Sequence, residues 1–224
     1  MEKYQNINIL YEDNHLLVVV KPCNMPVCLD ESNDKDLLTI LKEYLKEKYN
    51  KPGNVYLGLV HRLDRPVMGI MVFAKTSKAA NRLSKQMNNK EFKKVYYAVV
   101  NGIPLKKGIL HDYLAKNEIK NTSYVTDKNH GKEAILEYDV IETKDKLSLV
   151  RIELMTGRHH QIRVQFASRG YPLYGDHKYN KFFINDNKTD IALVAKELSF
   201  AHPVTNQILN FEIDLPKKYP YNLF

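Results

Sequence analysis

From Lys94 onward the chain is written almost entirely in strand-length runs. KVYYAVVN (94–101), AILEYDVIET (134–143) and KLSLVRIELM (146–155) are rich in β-branched and aromatic residues, which fit a pleated, half-buried surface. Two more strands are expected near 192–200 and 207–213. A short helical stretch spans about 160–168, with Gly170 as its stop. Upstream, INILYEDNHLLVVVKP is two apolar runs around an Asp13-Asn14 turn, closed by Pro22. Leu37, Leu38, Leu41, Tyr44, Leu45 and Tyr49 then recur at helical spacing, with Asp34 or Asp36 in place to cap. A break at Lys51-Pro-Gly-Asn follows, then a buried strand at IMVFA (70–74) and a helix capped by Ser77 and running to about Asn88. Many strands, few helices and no regular βαβ alternation argue for an α+β fold with a mixed or antiparallel sheet.

No repeat, Gly/Ser linker or low-complexity tract interrupts the 224 residues, so a single domain over 1–224 is expected. A chain of this length buries roughly 70% of its unfolded surface without staples. The longest aliphatic run, Leu16 to Val20, is far too short to span a bilayer. MEKYQNINIL has an acid second and no apolar stretch, so no secretory signal is expected. Cys23 and Cys28 are the only cysteines, too few for a disulfide framework or a zinc site. The reading is a reduced, cytoplasmic, monomeric protein with no membrane partner.

Charge is less even than composition. Residues 1–50 sum to −3, residues 51–110 to +10 and the remainder to +1. A concentrated positive field is either a solubilising surface or a footprint for an anionic polymer. Lys outnumbers Arg 27 to 7, yet Arg62 and Arg65 form one Arg cluster and Arg151, Arg158, Arg163 and Arg169 another. A chain so biased towards Lys places Arg where a planar, two-point fork is wanted.

Those clusters surround the chemistry. In VHRLDRPVMG (60–69), Asp64 is the sole carboxylate between residues 51 and 90 and lies between Arg62 and Arg65. It is either a surface ion pair or a carboxylate held ionised as nucleophile or base. In MTGRHHQIRVQFASRGYPLYGDHKY (155–179), His159 and His160 are adjacent; on a helix they would point about 100° apart and could not share a metal. Phosphate binding or satisfied local backbone is the better reading for them. Tyr96 and Tyr97 face opposite sides of one strand.

Five stretches, in order, resemble the motifs of the RluA family of RNA pseudouridine synthases. HRLDRPVMGIMVFAK (61–75) is similar to that family's HRLDxxTSGxxxxAK signature, and ILYEDNHLLVVVKP to its first motif. Tyr96-x-Ala98-x-Val100-x-Gly102 resembles its tyrosine motif. TGRHHQIR (156–163) with Gly175-Asp176-x-x-Tyr179 resembles its arginine motif, and LSFAHP (198–203) its closing strand. Three positions depart: Val67-Met68 replace Thr-Ser, Cys23-Asn24 replace a Gly, and His159 stands where Thr or Ser is usual. The resemblance implies a largely antiparallel sheet with peripheral helices and a central active-site cleft, in a stand-alone catalytic domain.

It also implies a reaction, the isomerisation of uridine in ribosomal or transfer RNA, which needs neither cofactor nor metal. Asp64 would attack C1′ or take the 2′ proton, alternatives that stay open. Tyr96 would stack on the uracil and assist loss of the C5 proton, and Arg163 would pair with Asp64. Arg62, Arg65, Arg158 and His160 would contact the RNA, with Arg62 placed to fill the space of the flipped base. The alternative is a basic protein of the same fold that binds RNA without catalysis.

Overall fold

The Asp13-Asn14 turn does join two strands, and the second of them is the centre of the first half of the fold. In the computed structural model, which describes residues 7–30, 32, 34–89, 91–186 and 188–224, β1 (Asn8–Glu12) pairs antiparallel with β2 (Leu16–Lys21). Asp13 Oδ1 accepts the N–H groups of His15 and Leu16 at 2.7 Å each, which is the side-chain turn that Asp is suited to make. The opening six residues, read above for a secretory signal, lie outside the described set. Eleven strands and three helices occur among the described residues, so the α+β expectation holds. The chain divides into two compact units: the described part of Met1–Lys93 with Glu197–Ile213, and Lys94–Lys196 with Asp214–Phe224.

In the first unit the helix α1 (Leu37–Lys48) follows β2, and Asp36 rather than Asp34 caps it, accepting from Thr39 N at 3.0 Å. Leu37, Leu41 and Leu45 form its buried stripe. After β3 (Gly58–Leu59), β4 (Met68–Ala74) pairs antiparallel with β2 from Leu16↔Ala74 to Lys21↔Gly69. Both strands are buried on alternate and intervening positions alike, which explains why LLVVV and IMVFA show no polar alternation. The helix α2 (Ser77–Asn88) begins one residue earlier than a Ser77 cap would allow. Thr76 is the cap, accepting from Ala79 N at 3.1 Å. Leu16, Val18, Ile70, Val72, Leu83, Phe92 and Phe200 make the core, each such side chain contributing about 1.5–3 kcal/mol on burial.

The second unit is a run of antiparallel ladders. β5 (Lys93–Asn101) opens at the boundary and pairs with β9 (Leu147–Leu154), β9 with β8 (Lys132–Lys144), and β8 with β6 (Lys107–Asn117). β6 turns through Glu118–Asn121 into β7 (Thr122–Thr126). The helix α3 (Gln161–Ala167) packs on β6 and β7, with Val164 against Leu114 and Ala134. β10 (Leu193–Ala201) runs from the second unit into the first, where it pairs antiparallel with β11 (Ile208–Glu212). A short 3-10 turn, Tyr221–Leu223, ends the chain. No helix is long and apolar enough to cross a membrane among the described residues.

Candidate active site

The HRLD stretch fills the connection between β3 and β4 in the first unit, and its residues alternate as extended chain must. His61 is buried, Arg62 exposed, Leu63 buried and Asp64 half-buried. His61 Nε2 accepts from Val72 N on β4 at 3.2 Å, and its ring meets Phe92 edge-on at 5.6 Å. The signature histidine is thus an anchor. A backbone bond from Val67 N to Asp64 O, 3.0 Å, then closes the turn that presents Asp64. No side-chain hydroxyl is needed for that closure, so the buried Val67 takes the place of Thr without loss of the turn.

Two side chains, Lys21 at the end of β2 and Cys23 just beyond it, hold the same turn. Lys21, wholly buried, donates to the carbonyls of Pro22 (2.8 Å), Met25 (2.8 Å) and Arg65 (2.9 Å). The Cys23 thiol donates to Pro66 O at 2.8 Å. Burial pushes the Lys21 pKa down to about 8, with Cys23 and Asp64 pulling against it and Arg65 adding to the fall. Sequence reading missed Lys21, although its signal was visible as a lysine closing an otherwise apolar strand. Arg65 turns back on the preceding loop, donating to Ser32 Oγ at 2.8 Å and pairing with Asp34, while Asp30 lies 3.6 Å away. Much of its charge is met within the protein.

In the second unit, Tyr96 is 7% exposed and stands opposite Ile152 in the β5–β9 ladder. Tyr97, on the other face, is half-buried beneath Lys196, whose ammonium lies 5.3 Å from the ring centre. Arg163 is buried on α3. Its Nε and Nη2 donate to the two oxygens of Asp176 at 2.8 and 2.7 Å, a two-point pair of the strongest kind. Its guanidinium also lies over the Tyr179 ring at 5.3 Å. The Gly175-Asp176-x-x-Tyr179 stretch therefore contains the residues that shape Arg163, a role its spacing alone did not reveal.

His160 precedes α3 in the left-handed region, φ 54°. That conformation overturns the expected divergence of the two imidazoles: His159 and His160 stack, with ring centres 3.7 Å apart. Tyr179 OH accepts from Ser123 N at 2.6 Å and meets His160 Nδ1 at 2.8 Å. Burial first, then the charges of Arg163, His159, Lys178 and Lys116, drives the His160 pKa down to about 2. The ring is therefore a neutral imidazole, and its bond to the Tyr179 hydroxyl is between two neutral groups, each able to donate or accept. Gln161 stitches the preceding turn, its Oε1 accepting from Thr156 Oγ1 (2.8 Å) and Arg158 N (3.0 Å). The Arg158 side chain is exposed, with Nε on Glu133 O at 2.8 Å. No group of three or more His, Cys, Asp or Glu is arranged to hold a metal ion among the described residues.

Comparison with known proteins agrees with the motifs. A family model for RNA pseudouridylate synthase matches residues 15–168. The "Uncharacterized RNA pseudouridine synthase" of Aquifex aeolicus (strain VF5) is 33% identical over 95% of this chain and 71% of its own length. "Ribosomal large subunit pseudouridine synthase C" of Buchnera aphidicola subsp. Baizongia pistaciae (strain Bp) is 33% identical over 96% of this chain and 69% of its own. Among solved structures, "Human RNA Pseudouridylate Synthase Domain Containing 4" has a TM-score of 0.78, covering 94% of this chain and 89% of that one at 21% identity, a likeness of fold.

Proposed function

The chain belongs to the RNA pseudouridylate synthase family, of the RluA type, and on that premise we propose that it isomerises uridines of large-subunit ribosomal RNA with Asp64 as its catalytic carboxylate. It is an isomerase that acts on RNA. Ribosomal RNA comes first because relatives carry it in their names; transfer RNA is the other structured substrate in the proposal. The N1–C1′ bond breaks, the uracil turns, C5 bonds to C1′, and the C5 proton is lost as N1 gains one. Positive character at C1′ calls for a carboxylate, as in glycoside chemistry. Asp64 meets it by attack at C1′ or by taking the 2′ proton to give a glycal. Tyr96 stacks on the base and assists at C5, and Arg163 keeps the carboxylate ionised and aimed. Arg62, Arg65 and Arg158 contact the RNA, and His160 does so as a neutral hydrogen-bonding ring. The protein works as a cytoplasmic monomer in which residues 1–224 form one catalytic domain.

The observation that carries this reading is the care taken over Asp64: a backbone-closed turn, gripped at two successive carbonyls by Lys21 and Cys23. The test is carbodiimide mapping of RNA from a strain lacking the protein, before and after incubation with it. Wild type should create discrete reactive sites without shortening the RNA. Asp64→Asn should create none while still retaining RNA on a filter. Turnover by that variant within about tenfold of wild type, about 1.4 kcal/mol of barrier, would refute the assignment. RNA retention by wild type with no reactive site would favour the inactive binder instead.

A further inference from the structure

Among the described residues, Lys21, Lys75 and Lys94 are withdrawn from water near the motifs, and Lys75 is paired with Glu12. Lys21 is matched by three carbonyls. Lys94, near the start of β5, is half-buried, and no hydrogen bond or ion pair from the described residues reaches its ammonium. Burial alone lowers its pKa, with no charged neighbour to offset the fall. An unpaired ammonium withdrawn from water is costly, and folded proteins rarely keep one without a use.

Its place in the fold says what that use is. Lys94 and Tyr96 are two apart on β5 and therefore share a face, about 7 Å apart along the strand. The ammonium lies against the Thr156-Gly157-Arg158 turn, where a side chain begun at Gly157 would come within 3.6 Å of Nζ. Gly157 supplies backbone there and no competing group.

We propose that Lys94 is an anion-binding residue of the RNA site, receiving a phosphodiester oxygen of the nucleotide whose base Tyr96 stacks on. This rests on the role given to Tyr96 above. A phosphodiester monoanion is favoured over a uracil carbonyl because the buried Lys21 takes three neutral carbonyls to satisfy it, whereas one full negative charge offsets a full positive one by itself. The spacing on β5 is comparable to the reach from a base to its own phosphate. Most other lysines of the +10 segment are exposed and have only the general attraction to RNA to offer.

Lys94→Met tests this because it keeps the apolar stem and removes the charge. With no ligand present, its melting temperature should equal or exceed wild type, since none of the described residues pairs with the ammonium. On a ribosomal RNA fragment that wild type binds, affinity should fall about tenfold or more. The log–log salt slope should lose about 0.7, the share of one single-strand phosphate contact. Lys46→Met, at an exposed position of α1 in the net-acidic segment, is the control and should change affinity less than threefold. A lower melting temperature for Lys94→Met would reveal a structural partner and overturn the proposal. An unchanged affinity and slope would overturn it too, as would a slower single-turnover rate with an unchanged slope, which would put the ammonium on the base. Melting temperature, affinity and salt slope need only a wild type that binds RNA, so wild type that binds without isomerising refutes the assigned function and not this one.

Discussion

Arg163 spends two of its five N–H groups on the two oxygens of Asp176 and lies face-on to Tyr179. A Lys ammonium carries the same charge but cannot reproduce a planar fork. Arg163→Lys should therefore leave RNA affinity and its salt dependence nearly unchanged. Its single-turnover rate with saturating enzyme should fall by on the order of tenfold to a thousandfold, since misplacing a catalytic group by about 1 Å can cost a hundredfold. Equal rates would mean that charge alone suffices. Arg169 is the control: its fork closes on Asp112 at 2.9 and 3.1 Å, so Arg169→Lys should lower stability and leave that rate alone. The scarcity of Arg pointed to both positions before any geometry was known, because two-point pairing is the one task a Lys-rich chain cannot give to Lys. The partners were illegible. Asp176 lies 13 residues beyond Arg163 and Asp112 lies 57 before Arg169, and spacing says nothing about contacts that only the folded chain creates.

Between elements, the same logic appears in the clamp on β1. Glu12 ends that strand and accepts four hydrogen bonds: from Tyr44 (2.9 Å) and Lys48 (2.7 Å) on α1, from Tyr49 (2.6 Å) just beyond it, and from Lys75 (2.9 Å) after β4. Burial works to raise its pKa, but the bonds from Lys48, Tyr49, Lys75 and Tyr44 together outweigh it and bring the value to about 2. A carboxyl depressed in the folded state stabilises fully above its unfolded pKa and loses that contribution as pH falls towards the folded one. The upper bound is about 3 kcal/mol, reduced to about 2 because Lys48 is 43% exposed and screened. Glu12→Gln should thus unfold about 2 kcal/mol more easily in urea at pH 7, and the gap should close between about pH 5 and pH 2. A gap that stays constant over that range would show that the carboxylate charge is not what holds β1 to α1. Elements with a dense apolar pattern, β2, β4, α1 and β5, could be read from sequence. The β6–β7 hairpin could not, because in KGILHDYLAKN only Leu110 and Leu114 are buried and no strict alternation survives. The stacked histidines were misread for a related reason: α3 starts only at Gln161, and no pattern announces that His160 takes a left-handed conformation.

For the molecule as a whole, the +10 of residues 51–110 overstates what RNA can meet. Lys75 is committed to Glu12 and Arg82 to the carbonyl of Pro203, while Arg65 is shared between Asp34 and the RNA contact proposed above. Part of the −3 in residues 1–50 is thereby consumed inside the first unit, where acids of that segment answer bases of the next. Exposed bases such as Lys51, Arg62, Lys78, Lys85 and Lys107 remain to displace counterions. With about five phosphate contacts, the logarithm of affinity should fall with the logarithm of salt at a slope of roughly −3 to −5. Single substitutions should then sort by whether a base is free or committed. Lys78→Gln or Lys85→Gln should each flatten the slope by less than one contact and leave the melting temperature unchanged. Lys75→Gln should leave the slope alone and lower the melting temperature. Filter retention of ribosomal RNA across a potassium chloride series, beside thermal unfolding of the same variants, reads both quantities. A dissociation constant that does not change with salt would make the basic segment a solubilising surface only. A Lys75→Gln variant with a flattened slope and an unchanged melting temperature would show that its pairing with Glu12 gives way when RNA arrives.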